Sequence, residues 1–358
     1  ESFGNASSVN HQYGVHAKTA LDNSRKVIAN AIGCRTKEII FTSSATESIN
    51  LAIKGIVNSS NNPLKKIITL KSEHSAVLDT FDYMNELGVS VELLDVDAQG
   101  YINLEDLNQS IDSNAILVTI LHGNNEIGTI QPIKKIGAIC KQFGVPLFVD
   151  GAQTFGKIPI DVKELNIALF AGSGHKIYGP KGVGFLYKRD DIHISPLLHG
   201  GGHEYGYRSG THNIPGIVGL GKAAELAISN LSENCLMLEK LSKLFLDTID
   251  QENIKYSING PTTNRLPGNL NLCFHDVEAD WLILHTPSVA ISTGSACTSE
   301  TITPSHVLRA IGMRDDDINS SVRISFGNYT TEDEAVRSAK DIAASVSKFI
   351  KKKKEIFA

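Results

Sequence analysis

VPLFVDGAQTFGKIPIDVKELNIALFAGSGHKIYGPKGVGFLYKR, residues 145–189, carries three short apolar runs: VPLFVDGAQ, NIALFAG and GVGFLYKR. Upstream lie EIIFTS, KKIITL, SVELLDV and AILVTILHG. Several of these runs are too continuously apolar for strands with one wet face, and read instead as strands buried on both faces of a mostly parallel sheet. The segments between them, such as HSAVLDTFDYMNELG and IKKIGAICKQFG, have helical period. AKTALDNSRKVIANAIG reads as an amphipathic helix ending at Gly33. The repeated strand–helix–strand order predicts an α/β fold with a covered, largely parallel sheet.

After residue 190 the pattern changes. HGGGHEYGYRSGTHNIPG, residues 199–216, reads as a long loop, and a long helical stretch comes after it. The remainder mixes short strands (GNLNLCF, VAIST, SVRISFG) with helices, the last opening on a capping box at Thr331 and Glu334. Its apolar stripe is expected at Val336, Ala339, Ala343, Val346 and Ile350. The expected division is a large domain over 1–231 and a smaller α+β domain over 232–358.

The 358 residues are 41% apolar and 20% charged, with a formal net charge of -5. That is globular composition without the basic footprint of a nucleic-acid binder. The run Lys351 to Lys354 reads as a solvated helix end. No apolar segment is long enough to span a bilayer and no signal peptide is evident. Five scattered cysteines without a CxxC argue against a disulfide framework or a zinc knuckle, and fit a reducing, cytoplasmic setting. His199, His203 and His212 lack ligand spacing with an acidic or Cys partner, so no metal is expected.

Three stretches carry chemistry. In FTSSATES a strand end meets a helix start, which offers backbone N–H groups to a phosphate and equally reads as an N-cap cluster. In VDGAQ, Asp150 ends an apolar strand, where ligands of parallel sheets bind, or caps the next helix. In AGSGHKIYGPKGVG, Lys176 comes after a strand, beside Ser173 and His175; alone it reads as a loop lysine, and the spacing is not that of a Walker loop. Together they meet the requirements of pyridoxal phosphate: an amine for a Schiff base, a carboxylate for the pyridinium nitrogen and donors for the phosphate.

The residues also carry a resemblance. TSSATESINLAIKG, SEHSAVLD, HGNNEIG, VDGAQTFGKIPID, GSGHKIYGPKGVG, GGGHEYGYRSGT, STGSACTS with PSHVLRAIG, and SVRISFG succeed one another across nearly the whole chain. The chain resembles the cysteine desulfurases of the fold-type-I pyridoxal phosphate superfamily, in the subclass whose active cysteine lies in a long loop reading SGSACTS. The resemblance implies a seven-stranded-type sheet in the large domain. It implies that Lys176 holds the cofactor, Asp150 pairs with the pyridinium nitrogen and Gln153 bonds the phenolic oxygen. It implies that His74 stacks on the ring, Asn125 positions cofactor or substrate, and Ala45, Thr46, Ser173 and His175 surround the phosphate. Thr211 would reach the phosphate of the other subunit of a homodimer. Arg323 would bind the substrate carboxylate, and Cys297 would be the nucleophile that takes sulfur from L-cysteine for an acceptor protein. Cys34, Cys140, Cys235 and Cys273 are expected to be buried and structural.

The chain does not begin with Met, and the family's usual D-x-A-A-T-T-P opening does not precede Gly4, so Glu1 is not expected to be the natural start. The longer tail that some relatives use to hold a scaffold partner is expected to be missing. Tyr207 departs from the usual loop pattern, while Arg208 and Thr211 are kept. The alternatives to a desulfurase are another fold-type-I enzyme, a selenocysteine lyase or aminotransferase, and a scaffold dimer that has lost turnover.

Overall fold

The computed structural model describes residues 4–294 and 304–356. The chain forms two compact units. The first runs to Leu94, resumes over Leu104–His122, and continues over Gln131–Leu231. The second takes Asp95–Asn103, Gly123–Ile130 and the chain from Ser232 onward. Two short segments numbered within the expected large domain therefore belong to the second unit. The reason is pairing within that unit: Thr129 bridges Arg265, the Leu266 N–H donates to the Gly128 carbonyl, and Thr129 Oγ1 donates to the Gln99 carbonyl at 2.6 Å, joining the two segments to it.

In the first unit the order is α1 (Gln12–Ala31), β1 (Ile39–Thr42), α2 (Ala45–Ser59), β2 (Lys66–Leu70), α3 (Ser75–Glu86), β3 (Ser90–Leu94), α4 (Leu104–Ser110), β4 (Ala115–Leu121), α5 (Ile133–Phe143), β5 (Leu147–Asp150), β6 (Leu169–Ser173), β7 (Gly184–Lys188) and α6 (Ile214–Ser229). The seven strands make one sheet ordered β1-β7-β6-β5-β4-β2-β3. Strands β3, β2, β4, β5 and β6 run parallel to one another; β7 is antiparallel to both β6 and β1. The continuous apolar runs have the predicted cause, since Phe148, Val149, Leu169, Phe170 and Ala171 are all fully buried. Helices α2 and α3 close one face through Ile49, Ile53, Val77 and Phe81. Emptying one such position, Phe148→Ala, is expected to remove about 3–5 kcal/mol of stability, measurable by urea denaturation.

Local chemistry sets the element ends. Ser44 caps α2 by accepting from the Glu47 N–H at 3.1 Å. Gly144 ends α5 in the left-handed region at φ 68°.

In the second unit the order is α7 (Leu231–Gln251), β8 (Ser257–Ile258), β9 (Asn269–Cys273), α8 (Ala279–His285), α9 (His306–Ala310), α10 (Asp315–Asn319), β10 (Ser321–Ser325) and α11 (Glu332–Ile356). An antiparallel sheet β10-β9-β8 packs Leu270, Leu272, Val322 and Ile324 with Ala339, Ile342, Ala343 and Val346 of α11. The capping box is formed: Thr331 N–H donates to Glu334 at 2.8 Å, and Glu334 N–H donates to Thr331 Oγ1 at 3.2 Å. Ile350, expected on the buried stripe, is exposed. VAIST does not form a strand. Turn bonds from Val289 N–H to Thr286 and from Ile291 N–H to Val289 consume its backbone, and a single bridge, Ser292 to Arg323, remains.

Candidate functional site

The sheet gathers the predicted residues on one edge of the first unit. Asp150 ends β5, with register partners Leu121 at the end of β4 and Ala171 in β6. His74 lies just after β2, His122 just after β4, and Lys176 in a 3-10 turn that continues from β6. Because β7 runs the other way, its first residue Gly184 pairs with Ser173 of β6 and with Thr42 of β1. The start of α2, carrying Ala45 and Thr46, therefore stands beside Ser173. A Cβ on Gly184 would come within 2.7 Å of the Ser44 backbone, so only glycine permits this approach. Gly151 has a similar cause: its Cβ would sit 1.9 Å from the Phe170 ring.

Asp150 is buried, and burial pushes its carboxyl above the usual range. The Ala152 N–H, at 2.9 Å from Oδ1, and the neighbouring His74 and Lys176 act in the opposite direction. A carboxylate so placed calls for a cationic N–H partner. His74 caps α3, and its Nδ1 accepts from the Ala76 N–H at 3.1 Å. That bond assigns the proton of the neutral ring to Nε2. Ser173 Oγ and His175 Nδ1 are 2.9 Å apart. Burial, then the charges of Lys176 and Lys181, lower the His175 pKa. The capping by Ser44 leaves the Ala45 and Thr46 N–H groups without a partner inside the helix, at its positive end.

Thr211 is exposed on the loop between β7 and α6. Two ion pairs hold that loop. Arg208 Nε donates to Glu47 Oε1 at 2.8 Å, tying it to the first turn of α2. Glu204 is buried and accepts from Arg25 Nη1 and Nη2 at 2.7 Å each, and from the Phe41 N–H at 2.7 Å; His212 Nε2 lies 2.6 Å from it. Burial would raise the Glu204 carboxyl, but the bonds from Arg25 and His212 outweigh it and hold the pKa down at about 2. Glu204 and Tyr205 both sit in the left-handed region, at φ 50° and 58°.

Among known proteins, the sequence profile of the class-V aminotransferases matches residues 1–337. A protein named cysteine desulfurase IscS from Rickettsia bellii is 46% identical over 348 residues, covering 97% of this chain and 85% of its own. The chain belongs to the cysteine desulfurase family. Two solved structures agree with the fold. One described as a NifS-like protein superposes with a TM-score of 0.91 at 36% identity, over 97% of this chain and 92% of that one. Another, described as SspA in complex with cysteine, gives 0.81 at 37%, over 92% of each chain. The mostly parallel seven-stranded sheet that the sequence resemblance implied is present, and the chain shares its fold with these two solved structures.

Of the described residues proposed from the resemblance to that family, Asn125 and Arg323 lie in the second unit. Arg323 on β10 donates from Nη1 to the Gly294 carbonyl at 3.1 Å and the Asn125 carbonyl at 3.4 Å. Cys297 lies outside the described residues. Of the other cysteines, Cys140 and Cys273 are buried, but Cys34 and Cys235 are only partly so. Cys34 sits in the turn after α1 and Cys235 on the flank of α7, where the neighbouring elements cover one side. Burial still pushes the Cys34 thiol up to about 12.

The sequence reading missed three residues at the sheet edge. Glu73 is fully buried beside His74 and accepts from the Leu121 N–H at 2.8 Å; burial pushes its carboxyl well above the usual range. His122 is buried, and burial lowers its pKa to about 4, which keeps the ring neutral. Lys157 donates to Gln153 Oε1 at 3.3 Å, and burial, then the charge of Lys176, lowers its pKa to about 8. The signal for Lys157 was present in VDGAQTFGK, where it stands one helical turn after Gln153.

Proposed function

We propose that this chain is a pyridoxal phosphate-dependent cysteine desulfurase that converts L-cysteine to L-alanine and leaves the sulfur as a persulfide on Cys297. The observation that carries the reading is the buried Asp150 carboxylate, set at the edge of a parallel sheet and electrostatically stabilised by Lys176 and His74. A pyridinium N–H answers the need of that carboxylate, an aldehyde answers the Lys176 amine, and a phosphate answers the positive end of α2 with Ser173 and His175. Membership of the cysteine desulfurase family supports the same cofactor.

When bound, the cofactor supplies an electron sink for the substrate's Cα. The protein's side chains supply the rest. Asp150 keeps a proton on the ring nitrogen. Lys157 holds Gln153 Oε1, so the Gln153 amide N–H₂ would be the group that donates to the phenolic oxygen. His74 presents a ring of fixed tautomer. Lys176 Nζ holds the cofactor at rest and, once released, moves the Cα proton of the substrate. Arg323 takes the substrate carboxylate, a task suited to its planar fork, and Asn125 helps orient it. The thiolate Sγ of Cys297 attacks the substrate sulfur. An S–S bond forms, the Cβ–S bond breaks with its electron pair left on Cβ, and a proton completes alanine. Cysteine and thiol become alanine and persulfide, so the exchange needs no outside reductant.

Thr211 is assigned to the cofactor phosphate of a second copy of the chain, which makes the working unit a homodimer. A sulfur-acceptor protein receives the persulfide; iron–sulfur assembly is the acceptor pathway suggested by the IscS-named relatives. No described helix is long and apolar enough to cross a membrane, and a cytoplasmic setting is proposed from the free thiols.

The test is Cys297→Ser. It is expected to leave cofactor absorbance unchanged and to lower alanine formation from L-cysteine by at least ~10²-fold, the scale for losing a nucleophile's contribution. Full desulfuration by that variant would remove Cys297 from the mechanism. A wild-type chain that takes up no pyridoxal phosphate would defeat the reading altogether.

A further inference from the structure

A second cluster of reactive side chains lies in the second unit. Cys273 ends β9, His275 stands in the turn after it, and Asp317 lies on α10. Cys273 Sγ is 3.6 Å from His275 Nδ1 and 4.0 Å from Asp317 Oδ1, and these last two atoms are 3.3 Å apart. A tetrahedral zinc ion with ordinary bond lengths requires about 3.6 Å between sulfur and nitrogen and about 3.4 Å between nitrogen and oxygen. Two of the three edges match; the third, at 4.0 Å, must shorten by a few tenths of an ångström on binding.

We propose that Cys273, His275 and Asp317 bind one zinc ion, with water as the fourth ligand.

Three observations support it. The donor set of thiolate, imidazole and carboxylate is one that zinc takes, and all three donor atoms converge within 4.8 Å. The carboxylate is prearranged: Arg314 donates to Asp317 Oδ2 at 3.2 Å, leaving Oδ1 turned toward Cys273 and His275. Access is also present. A cavity of about 780 Å³, lined by His275, Asp317, Asp276, Glu278 and Trp281 among others, opens onto the cluster from solvent. Cys273 itself is fully buried, so the ion would enter by way of the exposed His275 and the partly exposed Asp317.

Without the ion the same atoms form weak contacts. The thiol lies 3.4 Å from the Asp317 carbonyl as well as near the carboxylate. Burial raises its pKa, so it stays protonated unless a cation displaces the proton. Zinc binding therefore releases the thiol proton, and requires His275 as the tautomer with its proton on Nε2. The ion would join β9 to α10 at the end of the small sheet, using none of the residues assigned to the cofactor.

The experiment uses the untagged full chain carrying Cys297→Ser, so that the reactive thiol contributes nothing, with Zn²⁺ alone as probe. Equilibrium dialysis is expected to give one zinc per chain. Adding Cys273→Ser should weaken binding by at least ~100-fold, beyond the roughly 10–100-fold that losing an outer partner costs. His275→Ala, at an exposed position that the fold does not need, should weaken it by at least ~10-fold. X-ray absorption of the zinc-loaded chain should show one sulfur at about 2.3 Å, with nitrogen or oxygen ligands at about 2.0–2.1 Å. Zinc should also raise the thermal midpoint of the parent, and not that of Cys273→Ser. Absence of stoichiometric zinc overturns the proposal. So does a shell without sulfur, or zinc binding that His275→Ala leaves unchanged.

Discussion

Lys176→Ala is expected to lower alanine formation from L-cysteine by at least ~10⁴-fold, the upper end of what one general base contributes. Two losses coincide in this variant. The proposed anchor of the cofactor is gone, and so is the proposed base for the substrate's Cα proton. The fold should survive, because Lys176 is half-buried in a short turn and packs into no core. The cofactor, held then only by the Asp150 carboxylate and the phosphate seat, should leave the protein on gel filtration. Steady-state assay together with absorbance of the filtered protein reads both effects. Activity within tenfold of wild type, with the cofactor retained, would show that another amine does the work; Lys157, within the charge field of Lys176, is the one to examine first.

Glu204→Ala should destabilise the first unit by about 3–5 kcal/mol, the usual consequence of removing one partner of a buried ion pair. It leaves the Arg25 guanidinium buried over the Phe41 ring and the Phe41 N–H unpaired. It also releases the left-handed turn at Glu204 and Tyr205, which carries strain of order 1–3 kcal/mol per residue. Urea denaturation tracked by circular dichroism measures the loss. Replacing both partners, Arg25→Met with Glu204→Leu, should cost less than Glu204→Ala, because no bare charge remains. The pH dependence has a definite sign. Glu204 titrates at about 2 in the folded chain against an ordinary 4.5. Its contribution, roughly 3 kcal/mol, is thus complete above pH 4.5 and is lost as pH falls toward 2. A Glu204→Gln chain should lack that part of the acid transition. An acid profile identical to wild type would mean that the pair adds nothing to stability.

The proposed role of Thr211 connects these results to catalysis. It lies between Arg208, tied to α2, and His212, which contacts Glu204. If Thr211 serves the cofactor phosphate of a second copy as proposed, loosening the Glu204 anchor should weaken cofactor retention before it affects the chemistry at Cα.

Much of the first unit was legible in the chain because strand burial leaves a compositional mark. VPLFV and NIALFA have no polar face, and only strands covered on both sides tolerate that. The same logic failed for VAIST. Its β-branched residues suited a strand, but bonds to the preceding turn took the backbone groups a sheet would have used. Asp150 and Lys176 were legible as strand-end residues. Glu73, His122 and Lys157 were not, because one carboxylate, imidazole or amine looks the same in a sequence whether solvated or enclosed.

What the sequence determined alone was periodicity and kind: a covered parallel sheet, a strand-end carboxylate and lysine of the kind proposed for pyridoxal phosphate, and a cysteine in a motif of small neighbours. What only the tertiary structure decided was adjacency. His74, Asp150, Ser173 and Thr42 are far apart in the chain and share one edge because five strands run parallel and β7 runs back between β6 and β1. Cys273, His275 and Asp317 converge because β9 ends beside α10. Ion pairs such as Arg25 with Glu204, 179 residues apart, depend on the same kind of closure. Periodicity is a local property, written within a few residues by backbone geometry, whereas electrostatic and ligand fields act through space and exist only after the chain has closed.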